Sequence, residues 1–221
     1  MHGGVHPATF TWLWRAILDD GLQNWYMHPH PGEALVHRAR AQIATAFLDL
    51  KDADVLVMVD HDISAQPGDL RSVVDNARET KGIVGALVAK RAKGQGYGSN
   101  IPVGSGFEIG VPGLIEMPAP HNWMGGAFIA IHREALETIV KDMPRTLHGY
   151  YPVFQPFLKE IGDDDGLMDI SEDYALCEHA WKHNVPCHID TKPFVAHHGH
   201  AHAYTVIDAN PEVNEAANAD A

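Results

Sequence analysis

Basic residues are scarce in this chain. Its 221 residues include 16 Lys and Arg against 29 Asp and Glu, a formal net charge of −13. Non-specific grip on nucleic acid comes mainly from Lys and Arg neutralising phosphates. The balance therefore disfavours that class of partner, while leaving room for a nucleic-acid acceptor held by a local basic strip. Cysteine is also scarce. Cys177 and Cys187 are the only two, and they do not stand at a metal-type spacing. Two buried free thiols in a reduced, cytoplasmic chain are the simplest expectation. No apolar stretch approaches the roughly 20 residues needed to span a bilayer. The first residues also lack the basic-then-apolar layout of a signal peptide.

Against these shortages, apolar residues make up 45% of the chain and charged residues 20%, as expected of a globular protein. The length favours one domain with a proper core. We place that domain at residues 1–207 and expect 208–221, which is polar and without apolar spacing, to be a flexible tail. Histidine is abundant at sixteen, seven of them between His179 and His202. Such a bias invites a metal reading, although most of these side chains are expected to be ordinary polar surface.

Periodicity divides the chain. Pro7 suits a first helical turn, and a helix is expected over Thr9–Leu22. Trp25–Met27 reads as a short strand, and His28–Gly32 as a loop. Glu33–Leu50 carries apolar residues at helical spacing. Val55–Val59 is a continuous apolar run, expected to be a strand buried on both faces. Gly68–Thr80 reads as a helix and Ile83–Val88 as a second buried strand. Strand, helix, strand at this spacing is a βαβ unit, which implies an α/β domain with a mainly parallel central sheet. Lys93–Gly113 holds seven glycines and reads as loops and short strands over the site. Ala127–Ile131 is an expected strand, Arg133–Lys141 a helix, and Thr146–Gly166 a mobile loop. Glu172–Lys182 is an expected helix with Ser171 as its N-cap. Cys187–Ile189 and Phe194–Ala196 complete the expected strands.

Ligands in parallel α/β sheets bind beyond the carboxyl ends of the strands. Asp60, His61 and Asp62 fall there for the first strand, and Lys90 and Arg91 for the second. Two carboxylates two residues apart can reach one hard cation together with substrate phosphates. Arg38 and Arg40 sit two apart on a helix, so they point to different faces. One of them can face the site and hold phosphate or base, and a solvated helix face is the competing reading for each. Trp123-Met124-Gly125-Gly126 precedes a strand. The glycines allow close backbone approach to a ligand, and Trp123 is either a stacking platform or a core residue at a tight turn. Glu172 and Asp173 open a helix, where acids favour the dipole and where a fixed carboxylate could serve as general base. The run His197-His198-Gly199-His200 offers an imidazole to a cation.

In this order, these pieces resemble the GT-A glycosyltransferases, nearest to the glycosyltransferase family 2-like proteins of phage and bacterial genomes. The matching stretches are LVHRARAQIATAFL, DVLVMVDHDI, WMGGAFIAIHRE, SEDYALCEHA and VAHHG, spanning Leu35 to Gly199. The resemblance implies a single GT-A-like domain that transfers a sugar from a nucleotide-diphosphate donor, with a UDP-sugar foremost, to an acceptor hydroxyl. It implies Mn²⁺ or Mg²⁺ on the donor diphosphate, held by Asp60 and Asp62, with His197 or its neighbour His198 joining them. It also implies Asp173, beside Glu172, as the base in an inverting reaction, and Arg40 and Lys90 on the nucleotide or its phosphates. Two departures stand out. The first strand usual in such domains is missing ahead of Met1–Pro7, and Ala41 stands where asparagine is common. Nucleotidyl transfer is the alternative enzyme reading, opposed by the lack of a glycine-rich phosphate loop. A non-catalytic remnant that binds nucleotide or metal is another. A histidine-rich metalloprotein ranks last, since no HExxH-type pair is present.

Overall fold

The structure is a computed structural model that describes residues 5–19, 25–27, 33–108, 111–160, 166–199 and 202–205. The elements run α1 (Pro7–Asp19), α2 (Val36–Asp49), β1 (Val55–Val59), β2 (Ile63–Ser64), α3 (Asp69–Thr80), β3 (Ile83–Ala86), β4 (Leu114–Glu116), β5 (Phe128–His132), α4 (Arg133–Val140), β6 (Phe157–Glu160), β7 (Leu167–Ile170), α5 (Glu172–Lys182), β8 (Cys187–Asp190), β9 (Ala196–His198) and β10 (Ala203–Tyr204).

Five strands form the central sheet in the order β1-β5-β3-β8-β4. Side chains alternate across each strand, so each apolar run feeds two cores at once. On one face, Met58, Ile83, Ile129, Ile131 and Ile189 pack with α2, α4 and α5. On the other, Val84, Ala86, Phe128 and Ala130 pack with α1 and α3.

The sheet corrects the expected topology. β3 and β8 are parallel, but β5 is antiparallel to both β1 and β3, and β4 is antiparallel to β8. The sheet is mixed and mostly antiparallel. β1 and β3 do run the same way around the α3 crossover, yet β5 lies between them. β1 is consequently an outer strand and half-buried rather than enclosed on both faces. Helices cover both faces here whatever the strand direction, so a continuous apolar run reports that covering and not parallel pairing.

Other boundaries differ as well. Trp25–Met27 forms no strand; Trp25 instead packs against the α1/α3 core. The segment expected to be a mobile loop after Thr146 is built into the core through Tyr150, Val153 and Phe154, and it continues into a β6–β7 hairpin. Tyr150 and Phe154 are anchors facing inward, while Phe157 is exposed. A small sheet, β10-β9-β2, is wholly antiparallel. Residues 20–22, the loop expected at 28–32 and the tail at 208–221 lie outside the described residues. Among the described residues, no helix is long and apolar enough to cross a membrane.

Candidate functional site

β5 runs against β1 and β3, so its N-terminal end meets their C-terminal ends at one edge of the sheet. This places Gly125-Gly126-Ala127, ahead of β5, beside Asp60 after β1 and Lys90 beyond β3. Asp60 N donates to Ala127 O at 2.8 Å. The N-terminus of α5 brings Glu172 and Asp173 to the same place, and β9 brings His197. Together with Arg40, Ala86, Val88, Ala89, Gly98 and Ser99 they line one cleft of about 490 Å³, measured to its open mouth.

Arg40 is the buried charge at the floor of this cleft, only 6% exposed. Its Nη2 donates to Asp60 Oδ1 at 3.0 Å and its Nη1 to Glu172 Oε1 at 3.3 Å. One guanidinium thus ties the end of β1 to the start of α5. A planar fork of donors suits two carboxylates at fixed angles better than an ammonium does. Gly126 lies directly over it. A methyl group there would collide with Arg40 Nη1 and come within 3.0 Å of Asp173 Cβ. A methyl on Gly125 would meet the backbone oxygen of Gly98 at 3.1 Å. Close approach of backbone to side chain and of backbone to backbone explains both glycines.

Asp173 is held on both oxygens. Oδ2 accepts from Gly126 N at 3.0 Å, and Oδ1 accepts from Tyr174 N at 3.0 Å and from the Ser171 hydroxyl. Ser171 does occupy the N-cap position, but its hydroxyl makes no cap bond to the helix; it turns to Asp173 instead. Burial raises the pKa of the neighbouring Tyr174 phenol above its usual value, so the group stays protonated, and its hydroxyl donates to Gly98 O at 3.2 Å.

Asp62 sits just outside the cleft lining, its side chain 9% exposed. Arg91 Nη1 stands 2.9 Å from its Oδ2, but not in hydrogen-bond alignment, and that oxygen has no hydrogen-bond donor. His197 Nε2 faces the same oxygen at 3.6 Å. The other ring nitrogen, Nδ1, lies 2.9 Å from Ala89 O. A carbonyl only accepts, so Nδ1 carries a proton and Nε2 is the ring nitrogen turned towards Asp62. A buried carboxylate oxygen without a hydrogen-bond donor and an imidazole nitrogen thus stand side by side.

The remaining residues singled out in the sequence lie elsewhere. Arg38 is paired with Glu33 through two hydrogen bonds of 2.8 and 3.0 Å on the outer side of α2. Trp123 is 2% exposed. It stacks on Tyr174 at 5.1 Å and donates its indole N–H to Glu178 at 2.8 Å, so it is a core residue with no free face. His198 points away from the cleft, bonded to Ser64 Oγ at 2.7 Å and stacked on His6 at 4.3 Å. Burial, then the nearby His6, hold its pKa below the usual histidine value. His200 is outside the described residues. Sequence reasoning did not find Ser99, whose hydroxyl accepts from Gly125 N at 2.9 Å; a serine in a glycine-rich loop carries no periodic signal. Among the described residues, no three His, Cys, Asp or Glu side chains are gathered as a ready metal site.

No family profile matches the chain, and no curated protein matches it. Among solved structures, A197 from STIV overlays with a TM-score of 0.57 at 16% identity, covering 93% of this chain and 87% of that one. That likeness shows a shared fold alone, which in this chain is an α/β arrangement with a mixed five-stranded sheet flanked by helices. An apo UDP-glucose pyrophosphorylase overlays at a TM-score of only 0.40 with 11% identity, over 86% of this chain and 61% of that one.

Proposed function

We propose that the chain is a glycosyltransferase that moves a sugar from a nucleotide-diphosphate donor to an acceptor hydroxyl with the help of a divalent cation. The observation that carries this reading is the convergence, in one cleft, of residues from five separate segments: Arg40, Asp60, Gly125-Gly126, Glu172-Asp173 and His197. The GT-A-like fold is compatible with it and adds no chemistry by itself.

Charge favours a cation as a third partner. The cleft is lined by two cationic side chains, Arg40 and Lys90, against the three carboxylates Asp60, Glu172 and Asp173. Such a lining repels a bare diphosphate. The oxygen of Asp62 that lacks a donor and, in its neutral form, His197 Nε2 would hold a hard divalent ion, and Asp60, on the same turn after β1, is the candidate third ligand. Bound there, Mn²⁺ or Mg²⁺ would offset charge on the leaving diphosphate. Lys90, exposed at the rim, is placed for the donor phosphates. Arg40 acts as a positioning residue that fixes Asp60 and Glu172. In an inverting transfer, Asp173 takes the proton of the acceptor hydroxyl. The acceptor oxygen bonds to the anomeric carbon as that carbon's bond to the diphosphate breaks, and the nucleoside diphosphate leaves with the electron pair. The amide of Gly126 and the Ser171 hydroxyl hold Asp173 in place for that role.

Incubation with UDP-, GDP- and TDP-sugars plus Mn²⁺ and a panel of hydroxyl acceptors tests the reading. Transfer, or slow donor hydrolysis, is expected from the native chain and not from Asp173→Asn. Absence of both activities with every donor, or release of pyrophosphate from a nucleoside triphosphate instead, contradicts it.

A further inference from the structure

The two carboxylates after β1 are guarded in different ways. Asp60 is bound by Arg40, a buried arginine in hydrogen-bond alignment. Asp62 is buried, but its partner Arg91 is 56% exposed and makes no aligned bond to it. An ion pair of the second kind rests on charge alone, and it exchanges easily. Arg91 lies on a short hairpin at the cleft mouth, closed by the Ala89–Tyr97 bridge and by Lys90 N donating to Gly96 O at 3.0 Å. Ala89 of the same hairpin also fixes the His197 ring. One segment therefore aims the imidazole at Asp62 and supplies the guanidinium that stands against Asp62.

We infer that Arg91 is a placeholder cation. It neutralises Asp62 until a divalent ion takes Asp62 and His197, and it is then released towards the donor phosphates beside Lys90. This rests on the cation-dependent reading above. Its consequence is coupling: cation binding frees a phosphate-binding group, so by linkage a nucleoside diphosphate must also tighten the cation. Direct contact between cation and diphosphate already links the two; a placeholder adds a share of the linkage that depends on Arg91, which a merely structural arginine would not.

The test is Mn²⁺ binding, followed by the paramagnetic signal of the free ion, to native protein, Arg91→Gln and Asp62→Ala, each with and without UDP. Because Arg91 is exposed, Arg91→Gln should fold, and its melting temperature checks this. The placeholder predicts that Arg91→Gln binds Mn²⁺ alone more tightly, by about fivefold or more, while UDP strengthens Mn²⁺ binding by a smaller factor than in the native protein. Equal or weaker Mn²⁺ binding by Arg91→Gln, with binding lost in Asp62→Ala, overturns the placeholder and leaves the cation site standing. No Mn²⁺ binding by either native protein or Arg91→Gln overturns both.

Discussion

At the scale of single residues, Gly126 is the cleft residue most tightly packed against Arg40 and Asp173. A methyl group at this position has two neighbours to displace, Arg40 Nη1 and the Cβ of Asp173. Neither can yield freely, because Arg40 is tied to Asp60 and Glu172 and Asp173 to three donors. Gly126→Ala should therefore cost about 1–3 kcal/mol of stability, as overpacking does, and should abolish transfer. Denaturant unfolding and the donor assay measure the two effects, and near-native values for both would show that the cleft is looser than described. Several residue identities here follow from contact rather than from chemistry with a ligand. Nothing in the sequence distinguishes a glycine that receives a substrate from one that makes room for an arginine.

At the scale of elements, the cleft depends on how α3, β8 and the chain after β8 are locked together. Asp190, 2% exposed, accepts from Ser72 Oγ at 2.7 Å and Asn76 Nδ2 at 2.8 Å on α3, and from Lys192 N at 2.9 Å. Asp190→Ala would leave these donors without an acceptor, and a loss of about 2–4 kcal/mol is expected from the price of unmet buried polar groups. Thermal or denaturant unfolding reads this directly, and a loss below about 0.5 kcal/mol would mean that water replaces the carboxylate. The elements themselves were largely legible. Helical spacing marked α2, α3, α4 and α5, and apolar runs marked β1, β3, β5 and β8, each within a few residues. Direction was not legible, because an apolar strand covered on both faces reads the same either way, and so β5 was not seen to part β1 from β3. The β6–β7 hairpin was hidden among prolines and acids. Site residues were legible up to the face they occupy. Arg40 enters the cleft while Arg38, two positions away, turns to Glu33. His197 faces Asp62 while His198, the next residue on β9, takes Ser64. Trp123 carries the bulk of a stacking platform, but the core claims it.

At the scale of the whole molecule, the chain is strongly acidic, and Lys90, Arg91 and Lys93 bring three of its 16 basic side chains into one short segment at the cleft mouth. An acidic surface repels nucleotides at a distance, and a local basic segment is where a phosphate can approach. The mixed sheet contributes by bringing the ends of β1, β3 and β5 to one edge, where α5 and β9 add carboxylates and an imidazole. The central claim is that this edge holds a nucleoside diphosphate through a divalent cation. Calorimetric titration of UDP into the native protein, once with Mn²⁺ and once with a chelator, tests it most directly. The account predicts binding with Mn²⁺, none with chelator, and none in Asp62→Ala under either condition. Equal UDP affinity in chelator and in Mn²⁺ would contradict it.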